Sequence, residues 1–188
     1  GAVEREPPDT AASAAETRFG DLVRVASTAR AADFPATRGR TLQQMADLVD
    51  AGPQVGLATS LYSPGSNRFA FGVIGADGSL AFAPSAVYVA ETAAAPARGP
   101  FVATLDPLLV DPQYRSADSA AAGDIFAAIY STTIPLPRTG TYEILVMSRD
   151  GRRLLGAPTI ISVEATSPVP QVGQPAPRIE TDTLASAD

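Results

Sequence analysis

Glu91, Glu143 and Glu164 fall on or beside strand-like segments, where two carboxylates could face each other across a cleft. Glycoside hydrolysis needs such a pair, one group as acid and the other as base or nucleophile. The spacing brings no two of the three together, and strand-face acids more often stand in solvent or pair with Arg. Asp106, Asp111, Asp118 and Asp124 cluster in sequence and offer the oxygen ligands that calcium takes. Their spacing does not match an EF-hand loop, so solvated loop acids are the stronger reading. A sugar site would need exposed aromatic platforms; Trp is absent, which leaves Tyr62, Tyr88, Tyr114, Tyr130 and Tyr142. The stretch Arg98-Gly-Pro-Phe101 and the later pair Tyr114-Arg115 carry the Arg and aromatic groups enriched among interface anchors. Arg98, Tyr114 and Arg115 are therefore the partner-contact residues this sequence offers, while Phe101 is expected to pack.

The rest of the usual chemical repertoire is missing. The chain has no Cys and no His, and all 14 of its basic residues are Arg. Without imidazole or thiolate there is no ordinary zinc site, no Cys-His nucleophile and no Ser-His-Asp relay. Without Lys there is neither a Walker loop nor a Schiff base. Copper-carrying β-sandwiches need His or Met ligands, and the two methionines, Met45 and Met147, lie far apart in sequence. A chain with no catalytic residue, no metal and no cofactor is the expectation.

A net charge of −6 opposes phosphate backbones and anionic headgroups, so nucleic-acid binding is not expected. The acids are scattered, which reads as a soluble surface rather than an acidic docking face. No apolar run approaches the roughly 20 residues of a membrane span. Gly1-Ala2 has the form of a tag-cleavage scar, and an upstream targeting segment is expected before it.

Hydrophobic residues make up 45% of the chain, but 35 of them are Ala, which adds little apolar area on burial. The 43 Leu, Ile, Val and Phe residues must be concentrated to form a core, and they are, mainly between Val55 and Val163. A domain of roughly 110 residues buries about two-thirds of its unfolded surface, enough to fold without disulfides. The organisation expected is a leader or wrapping arm at 1–40, a helix and sheet domain at 41–166, and a Pro-rich linker at 167–188.

In the leader, Phe19, Leu22, Val23 and Ala26 sit at helical spacing, although Val23 and Val25 also alternate as a strand would. Thr41 and Gln44 form a capping-box pattern, with Leu42, Met45 and Val49 on one face of a helix over 42–50 that Gly52-Pro53 ends. From Gln54 the period becomes two. Strands are predicted at 55–61, at 68–74 with Phe69, Phe71 and Val73 inward, at 86–90, at 101–105 and at 125–134. The clearest signal is Asp150-Gly151 between two long strand-like runs, 140–149 and 152–163, which predicts a hairpin with a type I′ turn. Pro158 in its second arm predicts an edge position or a bulge. About seven strands with almost no helix among them describe an immunoglobulin-like antiparallel β-sandwich with a short N-terminal helix. Tyr142 stands where such folds place a tyrosine corner; the Cys pair and core Trp of antibody domains are absent.

The tail carries a second signal. Pro168, Pro170, Pro175 and Pro177 predict an extended linker. Gly173, Ala176 and Pro177 within Val172-Gly-Gln-Pro-Ala-Pro177 match the Gly-x-x-Ala-Pro stretch that opens thioredoxin-like and peroxiredoxin-like domains, and the segment resembles that entry. Pro53-Gln-Val-Gly-Leu-Ala-Thr-Ser60, Ser66-Asn-Arg-Phe-Ala-Phe-Gly-Val73 and Pro135-Leu-Pro-Arg-Thr-Gly-Thr-Tyr142 look similar to segments of an uncharacterised bacterial exported family. In that family an immunoglobulin-like domain precedes a thioredoxin-like one. The resemblance implies an extracytoplasmic setting, secreted or membrane-anchored on the outer face, and a redox domain whose cysteines lie past Asp188. It transfers no catalytic residue to this region. The function expected is a noncatalytic accessory module that positions the thioredoxin-like domain or recruits its client protein. The alternative is a carbohydrate- or cell-wall-binding sandwich.

Overall fold

The computed structural model describes residues 10–108, 112–114, 128–166, 169, 170, 173–175 and 178. Among them the chain is mainly β: two sheets packed face to face as a β-sandwich, with helix confined largely to the leader. The described residues hold nine strands, β1 Asp50–Ala51, β2 Gln54–Leu57, β3 Gly65–Ile74, β4 Ser85–Ala90, β5 Arg98–Val102, β6 Thr104–Pro107, β7 Ala128–Leu136, β8 Gly140–Asp150 and β9 Arg153–Val163. One sheet has the order β1-β9-β8-β4-β5 and the other β2-β3-β7-β6. All pairings are antiparallel except β1 with β9.

The period-two pattern fixes which side chains meet between the sheets. Phe69, Phe71 and Val73 of β3, Tyr130, Ile134 and Leu136 of β7, and Tyr142, Ile144 and Val146 of β8 form one apolar cluster with Val87, Val89, Ile161 and Val163. Phe71 and Tyr130 stack with ring centroids 5.2 Å apart, and Phe69 tilts against Phe71 at 5.3 Å. Tyr142 closes the corner before β8: its hydroxyl accepts from the Arg138 amide at 3.1 Å and donates to the Arg138 carbonyl at 3.2 Å.

The hairpin forms, but its turn differs from the sequence expectation. Asp150 pairs with Arg153, so the loop is Gly151-Arg152, and of these only Gly151 has a positive φ, +58°. A type II′ turn needs one left-handed residue at its first central position, which a single glycine supplies; a type I′ turn would force a non-glycine there as well. Pro158 does lie at an edge, since β1 pairs with β9 only at Leu155 and Gly156.

Two further differences have local causes. The helix α2 spans Leu42–Ala46 rather than reaching 50, because Asp50 and Ala51 are drawn into the parallel pairing with β9 and Gly52 N–H donates to Gly156 O at 2.9 Å. Its capping box is present, with Thr41 Oγ1 accepting from Gln44 N–H at 3.2 Å and Gln44 Oε1 accepting from Thr41 N–H at 3.0 Å. The strand expected at 101–105 is broken at Ala103, where the chain crosses from one sheet to the other and Ala103 N–H donates to Ser85 O at 3.0 Å. The strand expected at 55–61 stops at Leu57; beyond it Thr59 Oγ1 accepts from Ala70 N–H at 3.1 Å in place of a ladder bond.

The leader folds onto the sandwich. Helix α1, Thr10–Ala26, sets Phe19 edge-on against Phe82 at 5.6 Å and buries Ala26 in the inter-sheet cluster. Residues 29–49 then cover the outer face of the five-stranded sheet. Phe34, Leu42 and Met45 bury there against Ala86, Tyr88, Leu145 and Met147 as a second apolar cluster. Every residue of β4 is therefore buried, on both faces.

Candidate functional site

Arg98 opens the edge strand β5, and a bulge sets its position. Val87 pairs with Phe101 but Val89 with Arg98, so β5 carries one extra residue at Gly99-Pro100, a cis peptide. Gly99 sits at φ +135°, and a Cβ there would lie 2.8 Å from Val87 O and 2.9 Å from Tyr88 Cδ1. Only glycine fits that approach, so Arg98 is held where the leader crosses the sheet edge.

The leader runs antiparallel along this edge, with Thr41 opposite Pro96, so that Arg40 shares the face of Ala97 while Arg98 shares that of Val89. Ala97 N–H donates to Arg40 O at 2.9 Å, joining β5 to the turn 37–40. That turn is closed by Arg40 N–H donating to Thr37 O at 2.8 Å, with Arg38 at φ +46° and Gly39 at +78°, the type I′ pattern. Arg38 is exposed, while Arg40 and Arg98 are half-buried. Arg40 Nη1 donates to Ala36 O at 3.2 Å, which orients its guanidinium. Tyr88 O–H donates to Pro35 O at 2.7 Å, and Arg149 Nη2 donates to Asp33 O, pinning the segment before the turn. Among the described residues no carboxylate pairs with Arg38, Arg40 or Arg98, whereas Arg24, Arg30, Arg68, Arg138 and Arg153 each have one within 4.0 Å.

The other sequence-derived groups scatter. Tyr114 is 75% exposed on a single 3-10 turn at Pro112–Tyr114, and no hydrogen bond or ring contact joins it to Arg98. Arg115 lies outside the described residues, as do Asp111, Asp118 and Asp124. Asp106 is on the outer face of the four-stranded sheet, accepting from Ser131 Oγ at 2.8 Å and Arg68 Nη2 at 3.4 Å. Glu91 pairs with Arg138 at 3.7 Å, Glu143 stands between Ala90 and Ile160 on the sheet, and Glu164 follows β9 with its N–H donating to Tyr62 O at 3.0 Å. No bond joins any two of these glutamates. Phe101 is partly buried against the inter-sheet cluster.

Four of the five tyrosines are structural anchors. Tyr62, Tyr88, Tyr130 and Tyr142 are at most 5% exposed, and their hydroxyls donate to the carbonyls of Thr59, Pro35, Ala83 and Arg138. Burial pushes the Tyr62 phenol up to about 12, against a smaller opposing effect of its bond to Thr59, and raises those of Tyr88 and Tyr130 in the same direction. A shallow cleft of about 780 Å³ lies at one end of the sandwich between the β1–β2 link, the β3–β4 loop and the hairpin, lined by Gly52, Gln54, Phe82, Ser148, Asp150 and Arg153. Its Arg153 is already bound to Asp50 through Nε and Nη2 at 3.1 and 3.0 Å.

Sequence reading singled out Arg98 but gave no sign of the leader segment that runs beside it. Arg-Gly at 38–39 is a turn signal, yet the turn reaches this edge only through tertiary bonds, from Ala97 N–H to Arg40 O and from Leu42 and Gln43 N–H to Ala95 and Ala93 O. Comparison with protein-family models, with curated proteins and with solved structures gives no match for this chain.

Proposed function

We propose that this chain is a noncatalytic, immunoglobulin-like module that acts by contact with other proteins, positioning a thioredoxin-like domain that follows it or recruiting that domain's clients outside the cytoplasm. The observation that carries the reading is the interior. Both buried clusters are apolar, the deepest hydroxyls are tied to backbone carbonyls, and the two buried polar side chains among the described residues, Ser85 and Ser148, bond each other at 2.9 Å. The immunoglobulin-like assignment is supported by the order β2-β3-β7-β6 against β9-β8-β4-β5, a four-strand and extended three-strand arrangement of that class, and by the Tyr142 corner. The thioredoxin link rests on the Gly173, Ala176, Pro177 pattern. A carbohydrate-binding role is the weaker reading, because burial of Tyr62, Tyr88, Tyr130 and Tyr142 leaves Tyr114 as the exposed tyrosine. The parent sequence past Asp188 tests the proposal. A Cys-x-x-Cys or lone-Cys redox motif there supports it; a chain that continues without one sinks it, and specific binding on a glycan array would favour the sugar reading.

A further inference from the structure

We infer that the free edge of β9, residues 158–162, takes an added strand: a short extended segment of a partner protein in which apolar residues alternate with Arg or Lys. The inference names the surface and the partner chemistry for the interaction module proposed above and rests on that reading. β9 keeps an unbroken register with β8 from Arg153 to Val163, so every second residue turns its backbone N–H and C=O away from β8. Two bonds identify those residues. Gly156 O accepts from Gly52 N–H at 2.9 Å, and Glu164 N–H donates to Tyr62 O at 3.0 Å. The even positions between them, 158, 160 and 162, therefore aim the same groups outward. The chain that lies along β9 at Gly156 leaves it after Gly52 to form β2 in the other sheet, and meets it again at Tyr62. In between, no described residue offers a backbone bond to Ile160 or Ser162 from that side.

The side chains along this edge define the occupant. Residues 158, 160 and 162 share the outer face of the five-stranded sheet, because Ile161 and Val163 lie in the inter-sheet cluster and Leu154 packs with the outer one. Ile160 is 62% exposed there, and the register sets Glu143 across from it on the same face. On the inward side, β2 runs beside β9, and Leu57 at its end, opposite Phe71, is left 41% exposed. An added strand alternates its side chains between these two sides. The inward ones meet Leu57, which suits apolar residues. The outward ones lie over Ile160 with their ends toward Glu143, which suits the apolar stem and charged head of Arg or Lys. The net charge of −6 draws a cationic segment to this surface and opposes a second copy of the chain as occupant. Pro158 offers a carbonyl but no N–H, and Gly52 and Tyr62 close the two ends, so the segment that fits is short.

The test is amide hydrogen exchange of the folded chain, with and without a capped peptide of alternating valine and arginine. The N–H groups of Ile160 and Ser162 should slow about tenfold or more at saturating peptide, while those of Thr159 and Ile161, which face β8, change little. Glu143→Gln should weaken binding about threefold, an effect that fades as ionic strength rises from about 0.05 to about 0.3 M. Two changes remove the ladder: Ile160→Pro, at a donor that β8 does not use, and N-methylation of the peptide, which leaves the protein untouched. Each should abolish binding. Unchanged exchange at both amides, or undiminished binding of the N-methylated peptide, overturns the inference. Equal protection by a valine–glutamate peptide also overturns it, because the charge of the occupant then plays no part. Protection that grows with protein concentration in the absence of peptide overturns it in favour of a second copy. A module that docks elsewhere would fail this titration and still carry a redox motif past Asp188, so the two failures are separable.

Discussion

At the scale of single residues, several positions are decided by backbone and packing more than by side-chain chemistry. Gly156 is one: a Cβ would fall 2.4 Å from Val49 Cγ2 and 3.2 Å from Leu145 Cδ1, beneath the segment linking α2 to β1. Gly156→Ala is therefore expected to destabilise by about 1–3 kcal/mol, read as a lower urea midpoint with an unchanged slope. Tyr142→Phe removes both bonds to Arg138 while keeping the ring in the core, so a loss of about 1 kcal/mol is expected. The mutation at Arg38 has the opposite sign. Because φ there is +46°, Arg38→Asn should raise the melting temperature slightly, and a decrease would show that the guanidinium stabilises the turn it strains.

Among the elements, those with a regular period were legible from the sequence and those created by crossing between layers were not. The alternation Phe69, Phe71, Val73 placed β3 correctly inward, and Thr41 with Gln44 marked the start of α2. The helix start is legible because both capping bonds are local, so Thr41→Ala should cost about 1 kcal/mol in a thermal or urea melt. The break at Ala103 gave no signal, since a small apolar residue inside a strand-like run looks the same whether the run stays in one sheet or changes sheets. The two-residue β1 is too short to carry any periodicity, and its pairing with β9 spans a hundred residues of chain. Residues 1–40 read as a flexible leader or a wrapping arm, with no docking place for either. The missing clue lay in β4, where Ala86, Tyr88 and Ala90 form a second apolar row on the face away from the inter-sheet core. The same limit explains the candidate site. Arg98 stands out as an Arg near Phe101, but the leader segment that runs beside it at 40–43 is set there only by tertiary bonds to Ala93, Ala95 and Ala97.

For the molecule as a whole, the buried phenols predict how stability responds to alkali. Tyr62, Tyr88 and Tyr130 are raised above the unfolded value near 10, so the folded state favours their protonated forms. That contribution is fully present below pH 10 and declines as pH climbs toward the folded values, with Tyr62 about 12. Urea midpoints should fall between about pH 10 and 12 together with a late rise of tyrosinate absorbance; a midpoint flat across that window would contradict the burial described here.

The covering of the five-stranded sheet by residues 29–49 also has a consequence for synthesis. Phe34, Leu42 and Met45 settle against Leu145 and Met147, which the ribosome adds about a hundred residues after them. This apolar segment must wait for strands made that much later, unsatisfied in the meantime. A nascent chain halted before β8 would display that segment to chaperones and to neighbouring chains, and release of β8 is the moment at which the exposure ends.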